Sequence, residues 1–576
     1  MSLPASSGTP DGVPRSNRPG SHAVLAGSHN RMRAQPIDHG RAALGGATLT
    51  VTTCDDAGPG SLREAIGVAA DGDTIDLTQL TCAAITLTTG RLDASAATLT
   101  LDGPGEDVLA IDGAGASSVL HHGGTSLTIN GLTIRNGADA NGYGGCIFAS
   151  GNLLLNASTV TGCTAGDGSN ANAYGGAIDV LGNLTMIDST ISGSTATGTD
   201  RAVGGGAYAG GYLNAMLGSR ISGNQAISQA GYVRGGGAYV RGAALLDLRT
   251  TISDNQAVST TATAYGGGLQ ILGASAAIRN STISGNTAHS ASAWVYGGGI
   301  NLGHGGDAEL DRALVFYMST VSGNTASSNC TSCYINGGGA NAFGSIYSSG
   351  STFRDNVVAV DSAASGKAAG GGLSAYAAAA IDTTITAINS TLSGNSAVGG
   401  TAGDGLGFGG GIAALTGALV LKNSTIAFNS ATTSGGGIAI DVQHGANATS
   451  SMLARNDAPA AADAAKIVYG AGTAVLAGDH DLVMQAGADV ALPADTIGVD
   501  PLLSPLAANG GPTATHALVA CSPAIDAGSD PDGLNGDQRG APYLRVFGTA
   551  ADIGAFELQP IAERVFEDGF DPSPCG

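Results

Sequence analysis

Ser281-Thr-Ile-Ser-Gly-Asn286 is a clear copy of a six-residue block that recurs along the chain. Related blocks begin at Ser158, Ser189, Ser219, Thr250, Ser319, Ser351, Ser390 and Ser424. A glycine cluster stands between successive blocks, and these clusters begin at Gly144, Gly175, Gly204, Gly235, Gly266, Gly297, Gly337, Gly370, Gly409 and Gly435. Their spacing is 29–31 residues through Gly297 and 26–40 afterwards. A period of this length predicts a solenoid in which later coils carry longer loops.

One period contains three short segments that alternate between apolar and polar residues. They are Gly266–Leu272, Ala276–Ser281 and Thr282–Asn286, and a polar loop leads from the last one to Tyr296. Alternation of this kind predicts strands, with Ile271, Ile278 and Ile283 pointing inward. The predicted fold is therefore all-β, a right-handed parallel β-helix with a short N-terminal capping helix.

Composition agrees with a thin solenoid rather than several compact cores. Of the 576 residues 94 are glycine, 12% are charged and 4% are aromatic. Hydrophobic residues, at 43%, are too many for a disordered chain. Proline is too scarce at 18 residues, and glycine too irregular, for collagen.

The net charge of −22 is unevenly distributed. Residues 1–46 contain five arginines against Asp11 and Asp38, which gives +3 and leaves −25 for the rest. A surface of that sign repels nucleic acid, and also anionic polysaccharide unless cations bridge the two. We therefore expect no nucleic-acid partner.

Two positions of the repeat predict stacking between coils. An asparagine ends seven of the blocks, and its amide can both donate and accept along a ladder; these residues are Asn224, Asn255, Asn286, Asn324, Asn356, Asn395 and Asn429. An aromatic residue precedes five glycine clusters: Tyr143, Tyr174, Tyr265, Tyr296 and Phe408. We interpret these rings as structural stacks, with sugar-binding platforms as the alternative.

The segment Gly60–Ala70 predicts a short amphipathic helix. Ser61 and Glu64 have the spacing of a capping box, and apolar residues fall on one face. Such a helix would cover the open strand edges at the start of the solenoid.

Eight cysteines in local groups favour an oxidising compartment. The pairs expected from their grouping are Cys54–Cys82, Cys146–Cys163, Cys330–Cys333 and Cys521–Cys575. For Cys330 and Cys333, two free thiols are the alternative.

The chain divides into five expected regions. These are a disordered leader (1–46), an N-terminal cap with the first coils (47–135), the repeat β-helix (136–445), C-terminal coils with a distinct motif region (446–557), and a tail (558–576). No apolar run is long enough for a transmembrane helix, and no signal peptide is visible.

Three sets of motifs resemble bacterial secreted proteins. Val51–Ile66, which ends in Ser61-Leu-Arg-Glu-Ala-Ile66, resembles the N-terminal segment of CSLREA-domain proteins. The repeats are similar to those of polymorphic outer-membrane proteins. Asn509–Leu518, Ser522–Gly528, Asp537–Gly540 and Ala551–Glu557 resemble the choice-of-anchor Q domain. The resemblance implies export and surface display, and it implies no assigned activity.

Candidate chemistry is sparse. Gly303-His304-Gly305 matches a short polygalacturonase motif, but its companion motifs are missing, so His304 is only a weak catalytic candidate. Asp530, Asp532, Asn535 and Asp537 have the alternating oxygen ligands of a calcium loop, although a polar turn is the simpler interpretation. No other cofactor is expected.

The sequence thus predicts a monomeric, non-catalytic protein, extracellular or on the bacterial cell surface, that contacts cells, matrix, surface proteins or glycans. The alternative is a polysaccharide lyase or glycoside hydrolase, which a cleft lined by two or more carboxylates would favour. A third hypothesis is water ordering by the Thr-x-Ser row of the blocks, which Arg220, Arg354 and Ala427 interrupt.

Overall fold

The computed structural model describes residues 46–303, 312–360, 365–376, 383–403, 405–467 and 472–559. Within them the chain forms one helix, Leu62–Val68, together with strands in five parallel sheets and one antiparallel pair. The fold is the predicted parallel β-helix. We name the sheets A to E, and a complete coil passes through them in the order A, B, D, E and C.

Sheets A, B and C enclose the main core. Sheet A has 16 strands: Thr48–Thr50, Asp73–Asp76, Thr98–Asp102, Ser126–Asn130, Asn152–Asn156, Leu184–Ile187, Leu213–Met216, Ala244–Leu246, Ser275–Arg279, Ala313–Tyr317, Ser345–Ser349, Thr383–Ile388, Gly417–Lys422, Ala446–Thr449, Ala474–Asp479 and Val490–Ala491. Sheet B has 14: Ala84–Thr86, Ala110–Asp112, Thr133–Arg135, Thr159–Thr161, Thr190–Ser192, Arg220–Ser222, Thr251–Ser253, Thr282–Ser284, Thr320–Ser322, Thr352–Arg354, Thr391–Ser393, Thr425–Ala427, Met452–Ala454 and Leu482–Val483. Sheet C has 13: Leu92–Ala94, Leu120–His122, Ile147–Ala149, Ile178–Val180, Ala207–Ala209, Ala238–Val240, Leu269–Ile271, Ile300–Leu302, Ala340–Ala342, Leu373–Ala375, Ile412–Ala414, Ile438–Ile440 and Ala464–Lys466.

Sheets D and E form an extension that we call the fin. Sheet D has 10 strands: Ala138–Asp139, Thr164–Ala165, Thr195–Gly198, Gln225–Ser228, Gln256–Ser259, Thr287–Ser290, Thr325–Ser328, Val357–Val360, Ser396–Val398 and Ser430–Ala431. Sheet E has 8: Asn172–Tyr174, Arg201–Val203, Tyr232–Arg234, Ala264–Tyr265, Val295–Tyr296, Tyr334–Asn336, Lys367–Ala369 and Leu406–Phe408.

The core consists of aliphatic side chains stacked in register. Ile252, Ile283 and Val321 pair successively in sheet B, and all three are fully buried. Ile271 and Ile278 are also fully buried, as predicted. Burial of one such side chain is worth roughly 1.5–3 kcal/mol, so repetition over many coils supplies the stability that no single strand has.

The fin corrects one expectation from the sequence. The stretch between Asn286 and Tyr296 is not an irregular polar loop, because it contributes one strand to sheet D and one to sheet E. Inward positions of the fin are often small residues, such as Ala288 in this stretch and Ala264 one coil earlier, which are fully buried in a core of their own. Alanine gives little hydrophobic contrast, and this explains why the pattern resembled a loop.

The asparagine ladder is present in the fin-side turn that follows sheet B. Asn286 Nδ2 donates to Asn324 Oδ1 at 2.9 Å, and the Asn286 backbone N–H donates to the same oxygen at 3.0 Å. The same two bonds recur at every step from Asn224 to Asn429. All seven predicted residues are fully buried, so the ladder satisfies groups that water cannot reach.

Two residues that the block pattern did not predict extend this ladder. Asn429 Nδ2 donates to Asn456 Oδ1 at 2.9 Å, and Asn456 Nδ2 donates to Asp463 Oδ1 at 2.8 Å. A second ladder joins the serines that open the blocks, for example Ser319 N to Ser351 Oγ at 3.1 Å.

The capping helix packs on the first coils. Ser61 Oγ accepts from Glu64 N at 3.2 Å, which is half of the predicted capping box. The Glu64 carboxylate bonds Gly60 N at 2.5 Å instead of the Ser61 N–H that a regular box would use. Leu62, Ala65 and Ile66 are buried, so this helix closes one end of the core.

Residues 500–559, which we call the C-terminal clasp, fold back over the outward face of sheet B. Gln538 bonds Thr352 and Thr391, and His516 bonds Ser393. The clasp therefore buries the end of the Thr-x-Ser row, which speaks against a continuous water-ordering face. Two ion pairs lie inside it, Arg539–Asp537 at 2.7 Å and Arg545–Glu557 at 3.0 Å, all four side chains being 5% exposed or less. The antiparallel pair, Leu503–Ala507 with Thr515–Leu518, belongs to the clasp.

Three of the predicted disulfides are formed: Cys54–Cys82, Cys146–Cys163 and Cys330–Cys333. Cys575 lies outside the described residues, so its pairing with Cys521 stays a prediction.

Candidate functional site

The most distinctive surface is a groove in the corner between sheets E and C, which we call the corner groove. A glycine turn joins the two sheets in each coil; at Gly204, φ is 69° and an added Cβ would lie 2.1 Å from Ala207 O. The turn is so tight that outward side chains of the two sheets meet. The rings of Tyr174, on sheet E, and Tyr208, on sheet C, are 5.5 Å apart and nearly perpendicular.

The floor of the corner groove is the outward column of sheet C. Strand register aligns Asp93, His121, Phe148, Asp179, Tyr208 and Tyr239 in successive coils. His121 stacks on Phe148 at 5.0 Å, and Tyr208 stacks on Tyr239 at 5.4 Å. The floor is thus a run of rings interrupted by one carboxylate.

The wall of the corner groove is the outward face of sheet E. Tyr143 stacks on Tyr174 at 5.7 Å, as predicted from the aromatic position before the glycine clusters. Tyr265 and Tyr296 stack further along at 5.4 Å. Tyr143, the first ring of this path in the sequence, is 46% exposed, so the path is open to solvent at its N-terminal end.

Arginines lie between the rings of the wall. Arg234 lies over the rings of Tyr232 and Tyr265 at 4.4 and 5.4 Å, and Arg201 lies over Tyr232 at 5.2 Å. Arg201 also donates to the Tyr174 hydroxyl at 3.4 Å. The Nε atoms of Arg201 and Arg234 are buried and have no hydrogen-bond partner among the described residues.

Asp179 is the carboxylate of the floor. It is 2% exposed, and its Oδ1 has no hydrogen-bond partner within the described part of the chain. Burial, with a smaller contribution from the nearby charge of Asp139, raises the pKa of Asp179 to about 7. Its side chain therefore keeps a proton for much of the time at neutral pH.

A cleft of about 430 Å³ lies near the N-terminal end of the corner groove. Its lining includes Arg91, Asp139 and Asp167. Both aspartates cap turns of their own backbone: Asp139 Oδ2 accepts from Tyr143 N at 2.9 Å, and Asp167 Oδ1 accepts from Ser169 N at 2.8 Å. Arg91 bonds Asp93, the first residue of the floor, at 2.8 Å.

Beyond Tyr239 the floor continues under cover. Gln270, Asn301 and Asn341 take the next positions in register and are fully buried. They form an amide row, with Asn301 Nδ2 to Gln270 Oε1 and Asn341 Nδ2 to Asn301 Oδ1 both at 2.7 Å. Tyr239 itself is only 6% exposed, so the open part of the corner groove extends from Tyr143 to Tyr208, with the exposed Arg241 beside it.

The candidate residues named from sequence lie elsewhere. His304 lies outside the described residues. Asp532 pairs with Lys422 at 2.6 Å, and Asp537 pairs with Arg539 inside the clasp. Among the residues that the structure describes, no group of three or more His, Cys, Asp or Glu side chains is placed to hold a metal ion. Calcium binding by Asp530, Asp532, Asn535 and Asp537 stays a prediction, with two of these carboxylates already in ion pairs.

Sequence reasoning missed Asp179 and the arginines of the corner groove. The signal that could have found Asp179 was its position in the repeat. Asp179 is the middle residue of Ile178-Asp-Val180, and the equivalent middle residues of the next two coils are Tyr208 and Tyr239. Arg201 and Arg234 fall in the stretch that was interpreted as a loop. Without the fin, nothing placed them beside the tyrosines.

Neither the protein-family models nor the curated proteins compared with this chain give a match. In the described residues, no helix combines the length and the apolar character needed to cross a membrane.

Proposed function

We propose that this protein is a secreted or cell-surface β-helix that binds an extracellular glycan chain along the corner groove without chemically changing it. The observation that carries the proposal is the path of rings Tyr143, Tyr174, Tyr208 and Tyr239, with successive centroids 5.4–5.7 Å apart. The aromatic surface that the stack leaves exposed, largest at Tyr143, which is 46% exposed, suits the amphipathic surface of a sugar ring. Coils stacked about 4.8 Å apart repeat this surface along the solenoid axis, which suits a linear polymer.

The disulfides support the proposed location outside the cytoplasm. Three disulfides among the described residues fit an oxidising compartment outside the cytoplasm. The resemblance to CSLREA-domain and choice-of-anchor Q proteins supports display at a bacterial cell surface. The clasp contains the residues that carry the choice-of-anchor Q resemblance. Of these, Gln538 bonds Thr352 and Thr391 of sheet B, while Asp537 and Arg539 pair with each other inside the clasp.

The absence of catalysis is proposed from the roles of the carboxylates near the cleft. A glycosidase needs two carboxylates free to face the glycosidic bond. Asp139 and Asp167 accept backbone hydrogen bonds that hold their own turns, and Asp179 is 2% exposed.

The test is binding of the purified protein to immobilised glycans, followed by calorimetry on each chain that binds. Tyr143→Ala and Tyr174→Ala should each weaken binding at least about tenfold, the effect of losing about 1.4 kcal/mol. Tyr317→Ala is the matched control, because Tyr317 is 43% exposed on sheet A, outside the corner groove. Equal binding by all three variants would contradict the proposed site.

The alternative is a hydrolase or lyase acting in the same place, and one observation favours it. Asp179 lies close enough to Asp139 for its pKa to respond to that charge, and a carboxylic acid with a pKa of about 7 is suited to protonate a leaving group. Incubation with acidic and neutral polysaccharides, following reducing ends and unsaturated products, tests this function. Product release that disappears in Asp179→Asn would replace binding by catalysis.

A further inference from the structure

We infer that the ligand of the corner groove carries oxyanions, as carboxylate or sulfate groups on a glycan chain, and that Arg201 and Arg234 bind them. This inference rests on the proposed glycan-binding function and names the ligand class. It runs against the net charge of −22, which predicts repulsion of anionic polysaccharides.

The local charge differs from the overall charge. Arg201, Arg234 and Arg241 lie on or beside the open part of the corner groove. The nearest acids are Asp200, next to Arg201, and Asp179, whose buried carboxyl is partly protonated at neutral pH. The stretch of the corner groove around these three arginines is therefore locally cationic on an acidic protein, while Asp93 and Asp139 lie at its other end, and a polyanion is expected to bind at the arginine stretch.

The arginines are held in place before any ligand arrives. Arg234 is flanked by the rings of Tyr232 and Tyr265, and Arg201 is fixed by the Tyr232 ring and the Tyr174 hydroxyl. Arg201 donates to the Tyr174 hydroxyl and Arg234 hydrogen-bonds Tyr239, which leaves the remaining Nη–H groups of each guanidinium to donate to an oxyanion. Neither guanidinium forms an ion pair of 4 Å or less within the described part of the chain.

Both guanidiniums keep unused hydrogen-bonding capacity. Their Nε–H groups are buried and have no partner in the described structure, so an oxyanion would bind at the outer Nη groups. Strand register places Arg201 beside Tyr232, and Arg234 beside Tyr265. Each cation thus adjoins an aromatic platform, the pairing that a charged sugar needs.

The experiment compares three probes of similar length: a neutral glucan, a polyuronate and a sulfated glycan, each with and without EDTA. Binding of the polyuronate or the sulfated chain in EDTA, weakened by added salt, is expected. Which of these two binds more tightly identifies the anionic group. Binding of the anionic chains only when divalent cations are present would overturn the role of the arginines.

Arg201→Gln with Arg234→Gln should lower affinity for the anionic chain at least about tenfold. Arg220→Gln with Arg249→Gln makes the same change in net charge at exposed positions outside the corner groove and should have little effect. Arg201→Lys with Arg234→Lys keeps the charge but loses the planar fork, so an intermediate loss is expected even if the glutamine variant folds poorly.

The outcomes separate the two proposals. Binding of the neutral glucan alone, unchanged by the arginine substitutions, would overturn this inference and leave glycan binding standing. Binding of no probe would overturn both.

Discussion

Asn456 donates its side-chain amide to Asp463 Oδ1 at 2.8 Å, and at this bond the asparagine ladder ends on a carboxylate. The serine ladder ends in the same way, because Ser451 N donates to Asp481 Oδ1 at 2.8 Å. Along both ladders a backbone N–H of one coil donates to a side-chain oxygen of the next, and Asp481 follows this rule for the serines. Asp463 instead lies in the same coil as Asn456, seven residues further on. At both ends the final side chain only has to accept, and an aspartate meets this need.

Removing one rung from the middle of the asparagine ladder should destabilise the protein. In Asn324→Ala, the N–H and Nδ2 of Asn286 lose their acceptor in a site without water, at a cost of about 1–3 kcal/mol for each unmatched group. Asn324→Ser should cost less, since Ser194 already accepts from Cys163 N in an earlier coil. Thermal unfolding checks the order, with exposed Asn447→Ala as the control; equal stability of Asn324→Ala and Asn447→Ala would contradict it.

Asp481 should make stability fall as the pH rises. Burial raises its pKa to about 8, far above its usual value, so between these pH values the unfolded chain is ionised while the folded chain keeps the proton. Stability is then lost progressively across that window, at up to about 1.4 kcal/mol per pKa unit. Roughly pH 5 to pH 8 lies within the window between the pKa values of Asp481 in the unfolded and the folded state. Over this range the unfolding free energy of Asp481→Asn should fall less than that of the unsubstituted protein. Asp107→Asn, at an exposed site, should follow the unsubstituted protein.

The glycine clusters should tolerate no side chain where the backbone of the next coil approaches. A Cβ on Gly267 would lie 2.2 Å from Gly298 O. The two coils cannot move apart to make room for it without breaking hydrogen bonds of the asparagine and serine ladders. We expect Gly267→Ala to unfold at a clearly lower temperature or not to fold. Gly67→Ala is the opposite case, because Gly67 is in the helix with nothing within 4 Å, and it should stabilise by up to about 1 kcal/mol. Equal effects of the two substitutions would refute the close approach.

The clasp should open when its inner ion pair is broken on one side. Arg545→Met leaves Glu557 buried without its cation, which typically costs about 3–5 kcal/mol. Faster hydrogen exchange in residues 500–559 and along Thr391–Ser393 is the expected readout. Arg354→Gln breaks an exposed pair with Asp355 and should change stability by less than about 1 kcal/mol. Equal hydrogen exchange in the two variants would contradict the role of this ion pair in holding the clasp.

The solenoid was predictable because its signals are local and repeated. The block around Ile283 fixes an inward aliphatic, an outward Thr-x-Ser pair and a terminal Asn once per coil, and each has the predicted position. The fin was missed because Ala288 and its equivalents carry too little contrast to mark a strand. The clasp was missed because it joins residues far apart in sequence, such as Thr352 and Gln538, and no periodicity reports such a contact.

The candidate site was the hardest part to predict, since its members come from separate segments of each coil. Arg234 and Tyr239 are only five residues apart, yet they stand on different sheets and face each other across a glycine turn. The sequence contains both residues, but it does not predict that the glycine turn between them brings their side chains together. Asp179 carries no motif, and its raised pKa depends on burial that only the assembled coils produce.

The clasp also changes how the molecule should yield to force. A solenoid held only by contacts between adjacent coils unfolds under tension one coil at a time, beginning with the last coil. Here Thr513 Oγ1 holds Gly350 O at 2.9 Å while Ser529 N holds Ser450 Oγ at 3.0 Å, so a single strap spans about a hundred residues of stacked chain. Tension applied at the C-terminal end must release the strap before the coils beneath it can separate, which makes the coils between Gly350 and Ser450 one mechanical unit.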